Sequence, residues 1–121
     1  MNEAGGMRVL ICGGRSCFDY AALAKWLNIF SAETPISVVI HGGAHGVDSM
    51  AGRWAAARKI EVLKFAANWQ LHGRAAGPIR NTQMLDEGKP DIVIAFPGGR
   101  GTSNMILQSE ADGISVLQVD C

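Results

Sequence analysis

Glycine pairs follow three apolar runs of this chain, and an amphipathic stretch begins after each pair. The three loops read Gly13-Gly14-Arg15-Ser16, His41-Gly42-Gly43-Ala44 and Pro97-Gly98-Gly99-Arg100-Gly101-Thr102. Glycine lets the backbone come close to a ligand, and the free N–H groups at the start of a helix attract anions. Because arginine or histidine accompanies the glycines in every loop, the pattern predicts a site for a ligand that carries phosphate.

The loop from Pro97 to Thr102 carries the most specific of the three signals. Proline ends the preceding strand, and the hydroxyl of Thr102 could cap the following helix or bind the ligand. The alternative is a tight turn, but a simple turn seldom needs three glycines and an arginine. We therefore predict ligand binding. The predicted phosphate-binding residues in the three loops are Gly13, Gly14, Arg15, Gly42, Gly43, Gly98, Gly99, Arg100, Gly101 and Thr102.

Asp48 stands where the second loop meets its helix, and two explanations for it remain open. Its carboxylate could cap that helix, or it could accept a hydrogen bond from a ribose hydroxyl. His41 and His45 flank the same loop. Since no third ligand with recognisable spacing accompanies them, we predict polar contacts to the ligand and no metal site.

The segment from Trp69 to Asn81 is long for a strand-to-helix connection. Pro78 is typical of a helix start, which would place Arg80 and Asn81 in the first turn, facing the loops. The planar donor fork of Arg80 suits a phosphate, and a surface salt bridge is the alternative. Trp69 would either stack on a base or pack in the core.

Length and composition limit the class of protein. At 121 residues the chain is long enough for one domain, and with 48% hydrophobic residues it is not a disordered chain. The formal net charge of zero argues against a general nucleic-acid or membrane-surface binder, since these need a basic field. No apolar run approaches the ~18 residues of a membrane span, so we expect a cytoplasmic protein with no membrane partner.

The three cysteines, Cys12, Cys17 and Cys121, have no Cys-x-x-Cys spacing. Neither a disulfide framework nor a zinc site follows from them, and we expect reduced thiols. Cys12 ends a buried-looking strand, which favours a small core residue over a nucleophile.

The elements that must position these loops follow from the apolar pattern. Strands rich in Val, Ile and Leu without polar alternation are typical of a parallel sheet that is buried on both faces. Residues 1–6 are predicted to be a flexible leader, and 7–121 a single domain. The predicted strands are 7–12, 36–40, 60–65, 91–96 and 114–119, and the predicted helices are 19–31, 48–58, 77–87 and 102–112.

The alternation of strand and helix predicts a single Rossmann-like three-layer α/β sandwich with a five-stranded parallel sheet in the order 3-2-1-4-5. In this order the loops after the first and fourth strands lie on either side of the point where the strand order reverses, which is where open α/β folds bind ligands. The chain has no G-x-x-x-x-G-K-[ST] signature, which excludes a P-loop NTPase. The first loop is not G-x-G-x-x-G either, which disfavours a dinucleotide dehydrogenase.

Several segments together resemble the YspA, cpYpsA-related branch of the SLOG superfamily. They are His41–Ala44, Trp54-Ala55, Asn68-Trp69, Gly77–Asn81 and Phe96–Thr102. The resemblance extends over nearly the whole chain from Met7. It implies a Rossmann-like domain that binds a nucleotide or a nucleotide-derived ligand, and we expect no separate cofactor.

A related group, the LOG-type phosphoribohydrolases, cleaves nucleoside 5′-monophosphates through a P-G-G-x-G-T-x-x-E motif and an upstream arginine. By this resemblance Gly98, Gly99, Gly101 and Thr102 match the phosphate-binding part, and Arg80 matches the arginine. The glutamate of the motif falls on Met105. Because N-glycosidic cleavage passes through an oxocarbenium-like state that needs a carboxylate, Asp48 or Asp19 would have to replace that glutamate.

The prediction is a domain that binds a nucleotide or phosphoribosyl ligand as a sensor. The enzymatic alternative is hydrolysis of the N-glycosidic bond of a nucleotide, with Asp48 and Arg80 as catalytic residues. Single-stranded nucleic-acid binding is a third hypothesis, which the zero net charge disfavours. Because LOG-like relatives dimerise, and because the helices carry surplus alanine and tryptophan, including Trp26 and Trp54, we expect a homodimer.

Overall fold

A five-stranded parallel sheet forms the centre of the protein. The computed structural model describes residues 6–121, so the predicted leader at 1–6, apart from Gly6, lies outside the described residues. The strands lie in the order β3-β2-β1-β4-β5 and are all parallel, which confirms the predicted order. They are β1 (Met7–Cys12), β2 (Ile36–His41), β3 (Glu61–Lys64), β4 (Ile92–Ala95) and β5 (Ser115–Gln118).

Helices connect the strands and cover both faces of the sheet. Within residues 6–121 they are α1 (Tyr20–Glu33), α2 (Val47–Ala57), α3 (Trp69–His72), α4 (Ala76–Gly88) and α5 (Arg100–Ala111), with a 3₁₀ turn at Gly73–Ala75. α1 and α2 pack on one face, and α4 and α5 pack on the other. From β1 to β3 the chain adds strands toward one edge of the sheet, and from β4 to β5 it adds them toward the other edge. Because the crossovers are right-handed, reversing this direction places the connecting helices on the opposite face. No helix of this part of the chain is long and apolar enough to cross a membrane.

Alternate strand residues enter two separate cores. Val9 and Ile11 pack beneath α1 and α2 together with the fully buried Trp54. Leu10 packs beneath α4 and α5 together with the fully buried Met105. Burial of one large apolar side chain contributes about 1.5–3 kcal/mol. Because both faces of the sheet are covered, both sets of strand residues are apolar, which explains the lack of polar alternation in the sequence.

The observed helix ends differ from the predicted ones by one or two residues. Asp19 precedes α1 as its N-cap, and its Oδ1 accepts a hydrogen bond from the N–H of Ala22 (3.2 Å). α5 begins at Arg100, with Gly99 in the N-cap position, so Thr102 does not have the capping role that the sequence left open for it. Thr102 instead lies buried in the first turn. The four-residue helix α3 was not predicted, because one turn is too short to show an apolar period.

A disulfide joins Cys17 to Cys121, so the expectation of reduced thiols is wrong for these two residues. Their Cα atoms lie 5.7 Å apart, although 104 positions separate them in the chain. Cys17 follows β1 and Cys121 follows β5, and parallel strands end at the same edge of a sheet. Only the fold brings the two residues together. Cys12 is free and buried, as predicted for a core residue.

Candidate functional site

The three glycine loops meet at the edge of the sheet where β1, β2 and β4 end. Gly14 links them, because its N–H donates to the carbonyl of Pro97 (2.9 Å) and its carbonyl accepts from the N–H of Val47 (3.4 Å). A Cβ added at Gly14 would lie 2.8 Å from the Cα of Gly98. A Cβ added at Gly98 would lie 2.7 Å from the nitrogen of Gly14. Both residues must therefore be glycine for the loops to pack together, whether or not a ligand binds.

A cavity of about 280 Å³, here called the loop cavity, opens where the three loops meet. The predicted site residues that line it are Gly13, Gly14, Arg15, Asp48, Arg80, Asn81, Gly99, Gly101 and Thr102. Residues not predicted for the site also line it, namely Cys12, Ala44, Gly77 and Met84. Gly98 and Arg100 border two other cavities, and Gly42 and Gly43 lie in the second loop outside the lining. The structure thus brings most of the predicted residues together, from four separate segments.

The carboxylate of Asp48 is buried in the wall of the loop cavity. Its Oδ2 accepts hydrogen bonds from the backbone N–H groups of Gly42 (3.1 Å) and Ala44 (3.2 Å). Gly46 occupies the N-cap position of α2, so the capping explanation for Asp48 is wrong. Both loop bonds end on Oδ2, and Oδ1 accepts no hydrogen bond from residues 6–121.

Burial raises the pKa of Asp48 from 3.8 to about 6, although the N–H groups of Ala44 and Gly42 and the charge of Arg80 act to lower it. A carboxyl group with such a pKa gains and loses its proton close to neutral pH. This property suits a general acid or base, and buried carboxylates with perturbed pKa values are frequent at functional sites.

The raised pKa predicts a pH-dependent contribution of Asp48 to stability. Because the folded pKa of about 6 exceeds the reference value of 3.8, this contribution is fully present below about pH 4 and is lost as the pH rises through 6. Asp48→Asn lacks this titration. The free energy of unfolding of the wild type, minus that of Asp48→Asn, should therefore rise by on the order of 2–3 kcal/mol between about pH 7.5 and pH 4.

Urea unfolding of both proteins across this pH range measures the difference. Asp86→Asn, which removes an exposed carboxylate of α4, is the matched control, and its difference from the wild type should change less with pH. Parallel pH profiles for the wild type and Asp48→Asn would contradict the prediction.

Arg80 extends from α4 to the second glycine loop. Its Nη1 donates to the carbonyl of Gly42 (2.7 Å), and its Nε donates to Oδ1 of Asn81 (3.0 Å). These partners are a carbonyl and an amide, so the structure does not show the salt bridge that was the alternative explanation. Nη2 has no hydrogen bond to residues 6–121, and no fully buried side-chain nitrogen in that range lacks a partner. Nη2 is therefore open to solvent, on a side chain that lines the loop cavity.

Asn81 connects the start of α4 to the start of α5. Its buried amide donates to the carbonyl of Gly101 (3.0 Å) and to Oδ1 of Asn104 (3.1 Å). Gln108 continues the network by donating to the same Oδ1 of Asn104 (2.8 Å). Connected hydrogen bonds of this kind hold their members in one geometry. The network therefore fixes Arg80 relative to the first turn of α5.

Gly99 and Gly101 differ from the glycines that pack the loops together. A Cβ added at either position meets no atom within 4 Å, and both residues line the loop cavity. Gly99 is the N-cap of α5, and the first N–H groups of a helix have no partner within the helix. The open space beside this helix start is the place where an anion could approach.

His41 and Cys12 are buried side chains that directly precede the glycine pairs of the second and the first loop. Burial lowers the pKa of His41, and the charge of Lys64 lowers it further, so the imidazole is neutral at pH 7. Its Nδ1 accepts the N–H of Gly43 (3.0 Å). Burial raises the pKa of Cys12 to about 12, which keeps its thiol protonated and unreactive. His45, by contrast, is exposed and lines the loop cavity. Residues 6–121 contain no cluster of three His, Cys, Asp or Glu side chains that could hold a metal ion.

Trp69 begins α3 at the rim of the loop cavity, and 60% of its surface is exposed. The alternative that placed it in the core is therefore wrong. A Cβ added at Gly77 would lie 3.6 Å from Cη2 of the indole, so the ring lies close to the start of α4. A large aromatic surface at the rim of a cavity suits contact with a planar ligand.

Met105, which stands where the LOG motif has its glutamate, does not line the loop cavity. Met105 is fully buried between α5 and the sheet, and its sulfur accepts from the hydroxyl of Ser109 (3.5 Å). Asp19 caps α1 and borders a different cavity. Of the two carboxylates considered as replacements, only Asp48 lines the loop cavity.

Comparisons with known proteins agree with the resemblance. The model of the YspA, cpYpsA-related SLOG family matches residues 7–72, which include the first two glycine loops and end before Arg80 and the loop from Pro97 to Thr102. The Gene 61 protein of Mycobacterium phage D29 is 36% identical over 118 residues, which cover 91% of this chain and 94% of that protein. No solved structure matches the chain significantly. The chain therefore belongs to the YspA, cpYpsA-related SLOG family.

Proposed function

We propose that this protein binds a nucleotide or phosphoribosyl ligand in the loop cavity and acts as a sensor. The observation that carries the proposal is the open Nη2 of Arg80, which shares the loop cavity with Gly99 and Gly101 at the start of α5. A guanidinium group and the unpaired N–H groups of a helix start both favour a phosphate. Membership in the SLOG family supports a nucleotide-related ligand.

The remaining lining residues suit the other parts of such a ligand. Oδ1 of Asp48 is an acceptor for a ribose hydroxyl, because the loop N–H groups bond to Oδ2. The exposed ring of Trp69 offers a surface for a base. Arg15 lies on the same cavity and adds a second positive charge. Each component of a nucleoside monophosphate thus has a matching group in the loop cavity.

Isothermal titration calorimetry with the four nucleoside 5′-monophosphates and ribose 5-phosphate tests the proposal. At least one of them should bind, and Arg80→Ala should weaken that binding by about tenfold or more, because a hydrogen bond to a charged group contributes about 1.5–3 kcal/mol. Arg80→Lys keeps the charge without the planar fork and should bind with intermediate affinity.

Arg53→Ala is the matched control, because Arg53 is exposed on α2, where it stacks on Tyr20 away from the loop cavity. It should leave the affinity unchanged. If the wild type binds none of these compounds, or if folded Arg80→Ala binds them as well as the wild type does, the proposal fails.

The second candidate function is hydrolysis of the N-glycosidic bond of the bound nucleotide. The observation that favours it is the buried carboxylate of Asp48, with a pKa of about 6, in the same cavity as Arg80. Such a group could stabilise an oxocarbenium-like state or activate water. Release of free base by the wild type, measured by chromatography over hours with each nucleotide that binds, separates the two functions. Tight binding without release of base would exclude hydrolysis and support the sensor function.

The homodimer and the cytoplasmic location remain predictions. Trp54 is fully buried and donates to Oδ1 of Asn28 (3.0 Å), so it cannot contribute to an interface. Trp26 and Ile29 of α1 are exposed and remain candidates for a dimer interface.

The predicted cytoplasmic location is less favoured by the Cys17–Cys121 disulfide, because cytosolic reductants keep most cysteines reduced. Single-stranded nucleic acid remains the less favoured ligand, because the net charge is zero.

A further inference from the structure

A second and larger cavity lies next to the loop cavity. Its volume is about 620 Å³, and it shares Trp69, Gly77 and Gly101 with the loop cavity. Cavities that hold a small molecule measure about 300–1,000 Å³. The loop cavity, with about 280 Å³, is at the lower limit of this range, whereas the two together could hold a larger ligand.

The polar side chains that line the second cavity offer hydrogen-bond donors. Arg74 enters it from the 3₁₀ turn and Arg100 from the first residue of α5. Asn104 lies one turn further along α5, and its Oδ1 already accepts from Asn81 (3.1 Å) and Gln108 (2.8 Å), which leaves its NH₂ group as a donor. No acidic side chain is among the residues that line this cavity. Two guanidinium groups and an amide donor without a carboxylate favour an anion.

Trp69 stands between the two groups of donors. It lines both cavities, with Arg80 in one and Arg74 and Arg100 in the other. Aromatic side chains beside arginines are the usual means of holding unpaired bases, since the base stacks on the ring while the cations bind the backbone. Each of the two adjacent cavities therefore has its own phosphate donors, and the two cavities share one stacking surface, the ring of Trp69.

We propose that the ligand has two nucleotide units, as in a 5′-phosphorylated dinucleotide. The terminal phosphate of the ligand binds at Arg80 and the start of α5. The ligand then passes Trp69, and the phosphodiester of its second unit binds at Arg74 and Arg100. This inference rests on the proposed function, since it assumes that the loop cavity holds the first phosphate. It also gives Arg100 a role that its position outside the loop cavity otherwise leaves without explanation.

Calorimetry with matched ligands tests the inference. The probes are the four ribonucleoside 5′-monophosphates and the four corresponding 5′-phosphorylated homodinucleotides. For at least one base, the dinucleotide should bind the wild type about tenfold or more tightly than the mononucleotide. The double variant Arg74→Ala with Arg100→Ala should lose this difference, because its affinity for the dinucleotide falls to that for the mononucleotide. Arg80→Ala should instead weaken both ligands.

The control is Lys25→Ala with Arg53→Ala, which removes two positive charges from exposed positions on α1 and α2. It should retain the preference for the dinucleotide. Equal affinities for both ligands, or a preference that survives in the Arg74 and Arg100 variant, would overturn the inference while the proposed function stands. If the wild type binds no mononucleotide and no ribose 5-phosphate, the proposed function itself fails. An affinity that continues to rise with tetranucleotides would overturn the two-unit ligand in favour of a single strand.

Discussion

Gly99→Val should abolish nucleotide binding and leave the protein folded. A Cβ at this position meets no atom within 4 Å, so the protein itself has room for a side chain. The same space is part of the loop cavity at the start of α5, where the proposed function has the ligand phosphate approach the backbone. Loss of two hydrogen bonds to a charged phosphate, at about 1.5–3 kcal/mol each, corresponds to a hundredfold or greater loss of affinity.

Calorimetry measures the affinity, and circular dichroism with thermal unfolding shows that the variant is folded. Ser115→Val is the matched control, because Ser115 is exposed at the opposite end of the sheet, where β5 begins. It should bind as the wild type does. Gly99→Ala adds a smaller group, so its affinity for the nucleotide should lie between those of the wild type and Gly99→Val. A folded Gly99→Val that binds a nucleotide normally would exclude this loop as the phosphate site.

The sheet order could be predicted because it depends on features that are local in the sequence. Each strand is a short apolar run, each run is followed by a helix, and the handedness of the connections restricts the order. The position of the glycine loops at one edge of the sheet follows from the same pattern, since the strands that end in them are parallel. The role of each glycine could not be predicted from the sequence. Gly14 and Gly98 are glycine because each lies against the other, whereas Gly99 and Gly101 face open space.

The errors concern features that the apolar pattern of the sequence does not determine. Asp48 was a candidate cap because it stands close to a helix start, but the N–H groups that bind it belong to the preceding loop. Trp69 carries no sign of its exposure, because the segment around it has no apolar period. Cys17 and Cys121 pair only because β1 and β5 end at the same edge of the sheet. Thr102 was displaced from the cap position by an earlier helix start.

Cys121→Ser should lower the free energy of unfolding by about 2–4 kcal/mol under oxidising conditions. The disulfide closes a loop that contains most of the chain, since 104 positions separate the two cysteines, and such a link restricts the unfolded state. Cys121 is exposed, so the substitution removes the cross-link without leaving a hole in the core. Cys17 is buried in the core beneath α1 and α2, and its replacement would add the effect of a buried polar group. Cys121→Ser is therefore the cleaner variant.

Urea unfolding with and without dithiothreitol measures the contribution of the cross-link. The reductant should lower the unfolding midpoint of the wild type to that of Cys121→Ser and leave the variant unchanged. Because the disulfide fixes the segment that follows Arg15, its loss should also increase amide hydrogen exchange in the β1–α1 loop more than in α4. Equal midpoints for the oxidised wild type and Cys121→Ser would show that the link contributes nothing to stability. A disulfide with the predicted effect ties the segment after β5 to the loop that contributes Gly14 and Arg15 to the loop cavity. One bond then stabilises both the fold and one wall of that cavity.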